Sequence, residues 1–173
     1  MPVCYSDSLY SDRYDDQIKS AVYRYLRHYD WRLFKAQLYQ ESLLESDAVS
    51  PVGARGLAQF MPATWAEVTQ QLGLGLVSAH AAKPAIIAGA YYQGRMIGIW
   101  RSPRPNADRY SLGAASYNAG AGNIIKAQRL CGGALRYKEI IECLPRVTGR
   151  HANETKTYVE RIWQYYELLQ RRW

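Results

Sequence analysis

Apolar residues recur at helical spacing along almost the whole chain, and this periodicity limits the fold more than any other feature. The clearest stripes are formed by Ile18, Ala21, Val22, Tyr25 and Leu26, by Trp31, Phe34 and Leu38, and by Thr155, Val159, Ile162, Tyr166 and Leu169. Each follows the i, i+3, i+4, i+7 pattern of an amphipathic helix. Alternating apolar and polar residues, the mark of a half-buried strand, are nearly absent. The sequence therefore predicts an all-α fold.

Prolines and short polar residues indicate where the helices begin and end. Pro62 suits the first turn of a helix through Thr64 to about Leu72, and Pro84 opens another to about Trp100. The last helix should run from about Asn153 to Arg171. The remaining boundaries are the following: the helix of Trp31 ends near Ser46 and Asp47, a loop over residues 117–123 joins two helices, and residues 131–147 hold a short hairpin or an irregular stretch.

Length and charge limit the classes of function. The 173 residues fit one domain over residues 1–173, with residues 1–30 as an N-terminal helical extension packed on it. A domain of this size buries about 70% of its unfolded surface, so it needs neither disulfides nor a metal to fold. The net charge of +7 suits an anionic polymer, which is a nucleic acid, a membrane surface or an acidic glycan. Charge alone does not choose among them.

The ends of the chain and its cysteines add further expectations. No apolar run is long enough for a transmembrane helix. The acidic N-terminus lacks the basic start and apolar core of a secretory signal, so Cys4 lacks the context of a lipoprotein anchor. The cysteines show no metal-ligand spacing. Cys131 and Cys143 either form a disulfide or remain free thiols in a reducing cytoplasm, and the sequence favours neither.

Glu41 is the most informative residue, because it continues the apolar stripe of Trp31, Phe34 and Leu38. Desolvation at this position should raise the pKa of the Glu41 carboxyl. The general acid of a glycosidase has such a raised pKa, of about 6. The alternative is a glutamate at the edge of the core that pairs with an arginine. Glu45 lies one turn later and offers either a second carboxylate for acid/base chemistry or a solvated glutamate near the helix end.

Two segments rich in small residues are candidate cleft walls. Residues 48–62 combine two glycines and two prolines with apolar and amide side chains, either as a buried connection or as a cleft wall in which Gln59 donates hydrogen bonds and Met61 forms an apolar floor. In residues 117–123, small side chains allow close approach of a ligand, and Tyr117 is suited to stacking on a sugar. The alternative there is an ordinary glycine-rich turn between helices.

Three blocks of sequence, in the right order, resemble the catalytic signature of the soluble lytic transglycosylases, the SLT-domain family. They read E-S followed by A-V-S-P-V-G-A-R-G-L-A-Q-F-M-P-A-T, then A-S-Y-N-A-G, then E-T-K-T-Y-V. The blocks extend from Glu41 to Val159, about two thirds of the chain. The resemblance implies a lysozyme-like all-α domain.

The resemblance also implies roles for individual residues. Glu41 matches the single catalytic acid/base. The implied substrate-binding residues are Ser50, Gln59, Met61, Tyr117, Asn118 and Glu154. Glu154 equally suits the start of a helix, where an acidic side chain is favourable. The chain departs from the family pattern at Ala58, where Met is usual and a smaller side chain should widen the cleft wall, and at Ser116, where Ala is typical.

The implied reaction is cleavage of the β-1,4 bond between N-acetylmuramic acid and N-acetylglucosamine in peptidoglycan. Glu41 protonates the glycosidic oxygen and then accepts the proton of the C6 hydroxyl, which closes on C1 to give a 1,6-anhydromuramoyl end. The acetamido oxygen of the substrate replaces the second carboxylate that hydrolases use. Neither a metal nor a cofactor is implied, the partner is the glycan strand rather than a nucleic acid, and the protein is expected to be monomeric.

Two other functions remain open at this point. A lysozyme-type hydrolase of the same bond would need an acid that positions water, for which Asp47 and Glu45 are the nearest candidates. A basic protein that binds cell walls, membranes or nucleic acids without catalysis is the alternative of a different class. The basic and aromatic end of the last helix would suit contact with anionic lipid headgroups. Its residues are Arg161, Trp163, Arg171, Arg172 and Trp173.

The biological setting expected from the sequence is bacterial lysis by a phage. Such an endolysin is made in the host cytoplasm and released through holin pores to the periplasm and cell wall. A virion-associated enzyme and a secreted bacterial enzyme are the alternatives.

Overall fold

The computed structural model describes residues 7–172, and their side chains from residue 8 onward. A 3₁₀ turn at Asp7–Tyr10 precedes helices α1 Asp15–Tyr25, α2 Trp31–Ser42, α3 Pro62–Leu72, α4 Ala82–Ile99, α5 Asn106–Ala119, α6 Ala121–Leu130, α7 Tyr137–Cys143, α8 Pro145–Thr148 and α9 His151–Arg172. Within these residues no strand forms, and the all-α prediction is confirmed. No helix in the described part is long and apolar enough to cross a membrane. Cys4 and Trp173 lie outside the described residues.

The chain divides into two compact units. The first contains the described residues up to Tyr91 together with those from Ile162 onward, and the second contains Tyr92–Arg161. The prediction of one catalytic domain with residues 1–30 as an extension stays a prediction.

In the first unit, a buried ion pair joins α1 to α2. Lys35 Nζ donates to Asp15 Oδ1 at 2.6 Å and to the carbonyl of Ser11 at 2.7 Å. The Lys35 side chain is 0% exposed and that of Asp15 is 8% exposed. Buried charges persist when they are paired and hydrogen-bonded, so this contact fixes α2, the helix that carries Glu41, against α1.

Helix α2 ends earlier than the sequence indicates. It stops at Ser42, about one turn before the expected end near Ser46 and Asp47, because Leu43 and Leu44 both adopt left-handed backbone conformations, with φ of 55° and 60°. Leu44 is buried, so the turn carries an apolar side chain into the core. Glu45 therefore does not continue the face of Glu41 along one helix.

In the second unit, residues 131–147 are helical, which corrects the expected hairpin or irregular stretch. Helices α7 and α8 occupy most of this segment, and Pro145 stands at the first position of α8. A disulfide joins Cys131 to Cys143, with a Cα–Cα distance of 5.9 Å. The pairing that the sequence left open is thus made, and it links the end of α6 to the end of α7.

The loop expected over residues 117–123 is reduced to a single residue. Gly120, at φ 87°, separates α5 from α6. Tyr117 and Asn118 lie in the last turn of α5 and are therefore held on a helix. Other boundaries agree closely with the sequence: α3 begins at Pro62, and α4 begins two residues before Pro84.

Candidate functional site

Glu41 lies in the last turn of α2 and is half-buried. The next residue, Ser42, is buried, and its hydroxyl lies 3.1 Å from the carbonyl oxygen of Leu38 and 2.9 Å from that of Leu57. A hydroxyl hydrogen can donate to either carbonyl. Ser42 therefore ties the helix end that presents Glu41 to the segment 48–62.

The segment 48–62 is held in a compact path by its own side chains. Gln59, with φ of 51°, donates from Nε2 to the carbonyls of Gly56 and Ala48 at 3.0 and 3.3 Å. Ser50 Oγ accepts from the backbone N–H of Ala54 at 3.0 Å. Both predicted substrate-binding residues thus have structural partners within the segment, and both remain only partly buried.

Met61 and Ala58 differ in how the segment presents them. Met61 is 43% exposed and lies directly before the first residue of α3. Ala58 is fully buried, and a Cβ built on Gly89 of α4 would come within 3.0 Å of its methyl group. The small side chain of Ala58 thus allows α4 to approach the segment closely, and the expectation that it widens the cleft wall stays a prediction.

In the second unit, Asn118 and Glu154 line one polar cavity of about 410 Å³, which we call the α9 cavity. Its lining residues are Asn118, Ala119, Asn123, Val147, Thr148, His151, Glu154 and Thr155. Thr155 donates from its hydroxyl to Asn118 Oδ1 at 2.8 Å, and Asn123 Nδ2 donates to the carbonyl of Ala119 at 2.7 Å. The oxygen of the Asn118 amide thus accepts from Thr155, while the amide nitrogen of the same side chain is the donor suited to a hydroxyl or carbonyl ligand.

Tyr117 and Ser116 precede Asn118 on α5. The Tyr117 ring packs edge-on against Tyr92, with centroids 5.1 Å apart, and does not line the α9 cavity. Ser116 is buried; its Oγ accepts from Trp100 Nε1 at 3.1 Å and donates to the carbonyl of Leu112 at 2.7 Å. The departure from alanine at this position therefore satisfies a buried indole N–H.

The predicted site residues divide between the two units. Glu41, Ser50, Gln59 and Met61 belong to the first unit, and Tyr117, Asn118 and Glu154 belong to the second. Glu45 and Asp47 are exposed and follow the end of α2. Among the described residues, no group of three or more His, Cys, Asp or Glu side chains is arranged to hold a metal ion.

Two positioning residues were missed from the sequence. Ser42 and Thr155 each hold a predicted site element through a side-chain hydrogen bond. Both stand directly after a predicted site acid, in the pairs Glu41-Ser42 and Glu154-Thr155. Both residues also belong to the blocks E-S and E-T-K-T-Y-V, but neither signal reveals which carbonyl or amide the hydroxyl reaches.

Comparison with known proteins identifies the class. The transglycosylase SLT domain family matches residues 20–140. The membrane-bound lytic murein transglycosylases F of Marinobacter nauticus and Idiomarina loihiensis are each 32% identical to the chain, over 157 and 155 residues. These alignments cover 82% and 81% of this chain but 30% and 33% of the relatives. The chain belongs to the transglycosylase SLT domain family.

Solved structures agree with that assignment. An inactive glutamate-to-glutamine mutant of lytic transglycosylase Slt from Pseudomonas aeruginosa matches with a TM-score of 0.71 and 27% identity, over 90% of this chain and 23% of that one. The 70 kDa soluble lytic transglycosylase of Escherichia coli matches in fold, with a TM-score of 0.70 at 24% identity, over 90% of this chain and 24% of that one. The predicted lysozyme-like SLT fold is confirmed. The chain spans about a third or less of the length of these proteins.

Proposed function

We propose that this protein is a lytic transglycosylase that cleaves the bond between N-acetylmuramic acid and N-acetylglucosamine in peptidoglycan. The observation that carries the proposal is the half-buried Glu41 at the end of α2, tied through Ser42 to the segment that bears the family signature. Membership of the SLT domain family supports it. So do the curated relatives, which are named as lytic murein transglycosylases.

Glu41 is the proposed general acid and base. In its protonated form it donates to the glycosidic oxygen, and the leaving sugar departs as positive charge develops at the muramoyl C1. The acetamido oxygen of the same sugar stabilises that charge. The Glu41 carboxylate then takes the proton of the C6 hydroxyl, whose oxygen bonds to C1, so that one residue performs both proton transfers and no water is consumed.

The remaining proposed residues bind and orient the glycan. Intramolecular attack depends on holding the C6 hydroxyl over C1, and such positioning supplies a large share of the rate. Ser50, Gln59 and Met61 are the proposed contacts from the first unit. Tyr117, Asn118 and Glu154 are those from the second, where the amide of Asn118 is oriented by Thr155.

The test replaces the acid by its amide. Glu41→Gln should lower the release of muropeptides from purified sacculi by about a hundredfold to ten-thousandfold, the usual contribution of a general acid or base. Mass spectrometry of the wild-type digest should show products one water lighter than those of a lysozyme. Glu45→Gln is the matched control, because Glu45 is exposed and lies beyond the helix end.

Each alternative gives a distinct result in this experiment. Products that retain the elements of water would identify a hydrolase, with Asp47 and Glu45 as the acids to mutate next. Undiminished wall lysis by Glu41→Gln would remove Glu41 from the chemistry. Binding to walls with no lysis by the wild-type protein would support the non-catalytic binder.

The setting of the reaction is a narrower proposal. A phage lysis protein would lyse its host when produced in the cytoplasm together with a holin and would not do so without one. The curated relatives described above are bacterial enzymes, so export to the periplasm is the competing route. Contact of the end of α9 with an anionic membrane is likewise a proposal, although Arg171 pairs with Glu167 and Arg172 lies over the ring of Tyr10.

A further inference from the structure

The second unit contains, besides the α9 cavity, another cavity that is lined by cations with no role in the proposed reaction. It has a volume of about 390 Å³, and its lining residues are Lys126, Arg129, Leu130, Arg146 and Val147. We call it the basic cavity. The described residues that line it include no carboxylate. Three positive charges that face one space, with no acid among them, suit an anionic ligand.

The three cations are brought together by adjoining helices. Lys126 and Arg129 are three residues apart on α6 and therefore share a face, while Arg146 is the second residue of α8. The disulfide joins Cys131, directly after α6, to Cys143, two residues before α8. The disulfide limits how far Arg129 can move relative to Arg146. The arrangement of the charges is therefore fixed partly by the backbone and not only by the exposed side chains.

The cations are not neutralised by the protein. All three are exposed, and none forms an ion pair within residues 8–172. Arg146 donates from Nη1 to the carbonyl of Leu130 at 3.4 Å. That bond occupies one of its five N–H donors and leaves the planar guanidinium able to bind an oxyanion in bidentate geometry.

The position of the basic cavity, next to the α9 cavity, indicates which kind of anion it would bind. Val147 lines both the basic cavity and the α9 cavity, which contains the proposed glycan contacts Asn118 and Glu154. The two cavities therefore adjoin at Val147, and a ligand that extended from the proposed glycan site past this residue would approach the cations. In peptidoglycan, the group attached to the muramoyl sugar is a short peptide with several carboxylates and alanine methyl groups. Leu130 and Val147 supply apolar surface beside the charges.

We propose that the basic cavity binds the carboxylates of the peptide stem carried by the glycan strand. The proposal rests on the proposed function, because the strand itself must be the substrate. Its consequence is a preference for strands with charged stems, expressed through Lys126, Arg129 and Arg146. A phospholipid headgroup offers similar oxyanions, but the adjoining position of the α9 cavity at Val147 favours the substrate strand.

The test combines a change in the protein with a change in the substrate. The cavity variant is Lys126→Gln/Arg129→Gln/Arg146→Gln, and the control variant is Arg27→Gln/Arg101→Gln/Lys138→Gln. Each removes three exposed charges, and none of the control residues lines the basic cavity. Initial rates of anhydro-product release are measured on intact sacculi and on sacculi whose stem carboxylates have been amidated. Thermal melting checks that all proteins fold.

The expected result is a loss that depends on the stem charge. The cavity variant should release products from intact sacculi about tenfold more slowly than the wild-type protein, as expected for three partly exposed ion pairs. On amidated sacculi the two proteins should differ by less than about twofold, and the control variant should follow the wild-type protein on both substrates.

Other outcomes overturn the proposal in different ways. Equal losses on intact and amidated sacculi, or an equal loss by the control variant, would mean that the stems are not bound in this cavity. If only binding to phosphatidylglycerol vesicles were lost, the cavity would be a lipid site. If the wild-type protein released no anhydro products from either substrate, the proposed function itself would fail, and this result is separable from the others.

Discussion

At the scale of single residues, Ser116 shows how a small departure from a family pattern gains a structural meaning. The block around Tyr117 usually has alanine at this position, and from the sequence alone the change to serine has no evident effect on structure or function. In the structure its hydroxyl is the acceptor for the buried Trp100 indole. Sequence spacing could not reveal this contact, because Trp100 lies at the end of α4 and Ser116 lies on α5.

Ser116→Ala should therefore destabilise the protein. Removing the acceptor leaves a buried donor without a partner, which costs about 1–3 kcal/mol. Denaturant unfolding followed through tryptophan fluorescence measures the loss. Ser116→Thr retains the hydroxyl and is the control for chemistry at this site. A Ser116→Ala protein as stable as the wild-type protein would show that the Trp100 hydrogen bond contributes nothing net.

Gly56 is required by geometry within the segment 48–62. It has a φ of 77°, and a Cβ at this position would lie 1.9 Å from the carbonyl oxygen of Ala79. Because that atom belongs to the backbone, it cannot rotate away. The sequence indicated a buried connection or a cleft wall over residues 48–62, but it did not indicate which glycine faces another part of the chain.

Gly56→Ala should cost about 2–5 kcal/mol, since a steric clash adds to the strain of a left-handed alanine. Gly53→Ala is the matched control, because Gly53 has a φ of 91° and open space around its Cβ position. It should cost only the conformational strain of about 1–2 kcal/mol. Chemical denaturation of the two variants gives the difference, and equal losses would contradict the clash with Ala79.

At the scale of elements, the spacing of apolar residues was sufficient to predict a helix wherever an apolar stripe runs between clear boundary residues. The stripes predicted α1, the body of α2 and α9, and the prolines placed the starts of α3 and α4 within two residues. The end of α2 was missed because Leu43 and Leu44 are good helix formers, and their residue types give no sign of the left-handed conformations that they adopt. The short helices α7 and α8 were missed because seven and four residues are too few to show a period.

The start of α2 supplies a pH-dependent contribution to stability. Asp30 caps the helix by accepting from the backbone N–H of Arg32, and its carboxylate also pairs with the Arg32 guanidinium and accepts from the Tyr166 hydroxyl. Burial alone would raise the pKa of the Asp30 carboxyl. The hydrogen bonds from Arg32, the positive charge of Arg32 and the hydrogen bond from Tyr166 together lower it by more. The net pKa lies below the ordinary value of 3.8.

Because the folded protein binds this proton less readily than the unfolded chain, the stabilisation is complete above about pH 4 and is lost as the pH falls through the lowered pKa. Asp30→Ala should therefore lower the free energy of unfolding at pH 7 by about 1 kcal/mol, the usual effect of removing an N-cap. The difference from the wild-type protein should shrink below pH 3.8. Urea titrations across this range measure it.

Asp12→Ala provides the comparison for this titration. Asp12 is exposed and precedes α1, so its removal should have only a small effect on stability. A destabilisation by Asp30→Ala that is the same at pH 3 and pH 7 would indicate that the lowered pKa of Asp30 does not contribute to stability.

At the scale of the whole molecule, the composition limited the expected partner to an anionic polymer, and the sequence motifs indicated which polymer. The net charge of +7 was compatible with any anionic polymer, and only the order of three sequence blocks pointed to peptidoglycan. The placement of the charge could not be read from the sequence, because cations of two separate helices, α6 and α8, meet in the basic cavity. The formation of two compact units was likewise not indicated by any linker or change in composition.

The net charge should make adsorption to cell walls sensitive to salt. The screening length of water falls from about 10 Å at 0.1 M salt to about 3 Å at 1 M, so long-range attraction between a cationic protein and carboxylate-bearing sacculi should weaken. Adsorption of the Glu41→Gln protein, which should leave the wall intact, is measured by sedimentation with sacculi across this range. We expect the bound fraction at a fixed protein concentration to fall strongly, and amidation of the sacculi to remove most of the dependence. If adsorption were equally strong at both salt concentrations, the +7 charge would have no part in bringing the protein to the cell wall, and short-range contacts would have to supply the affinity alone.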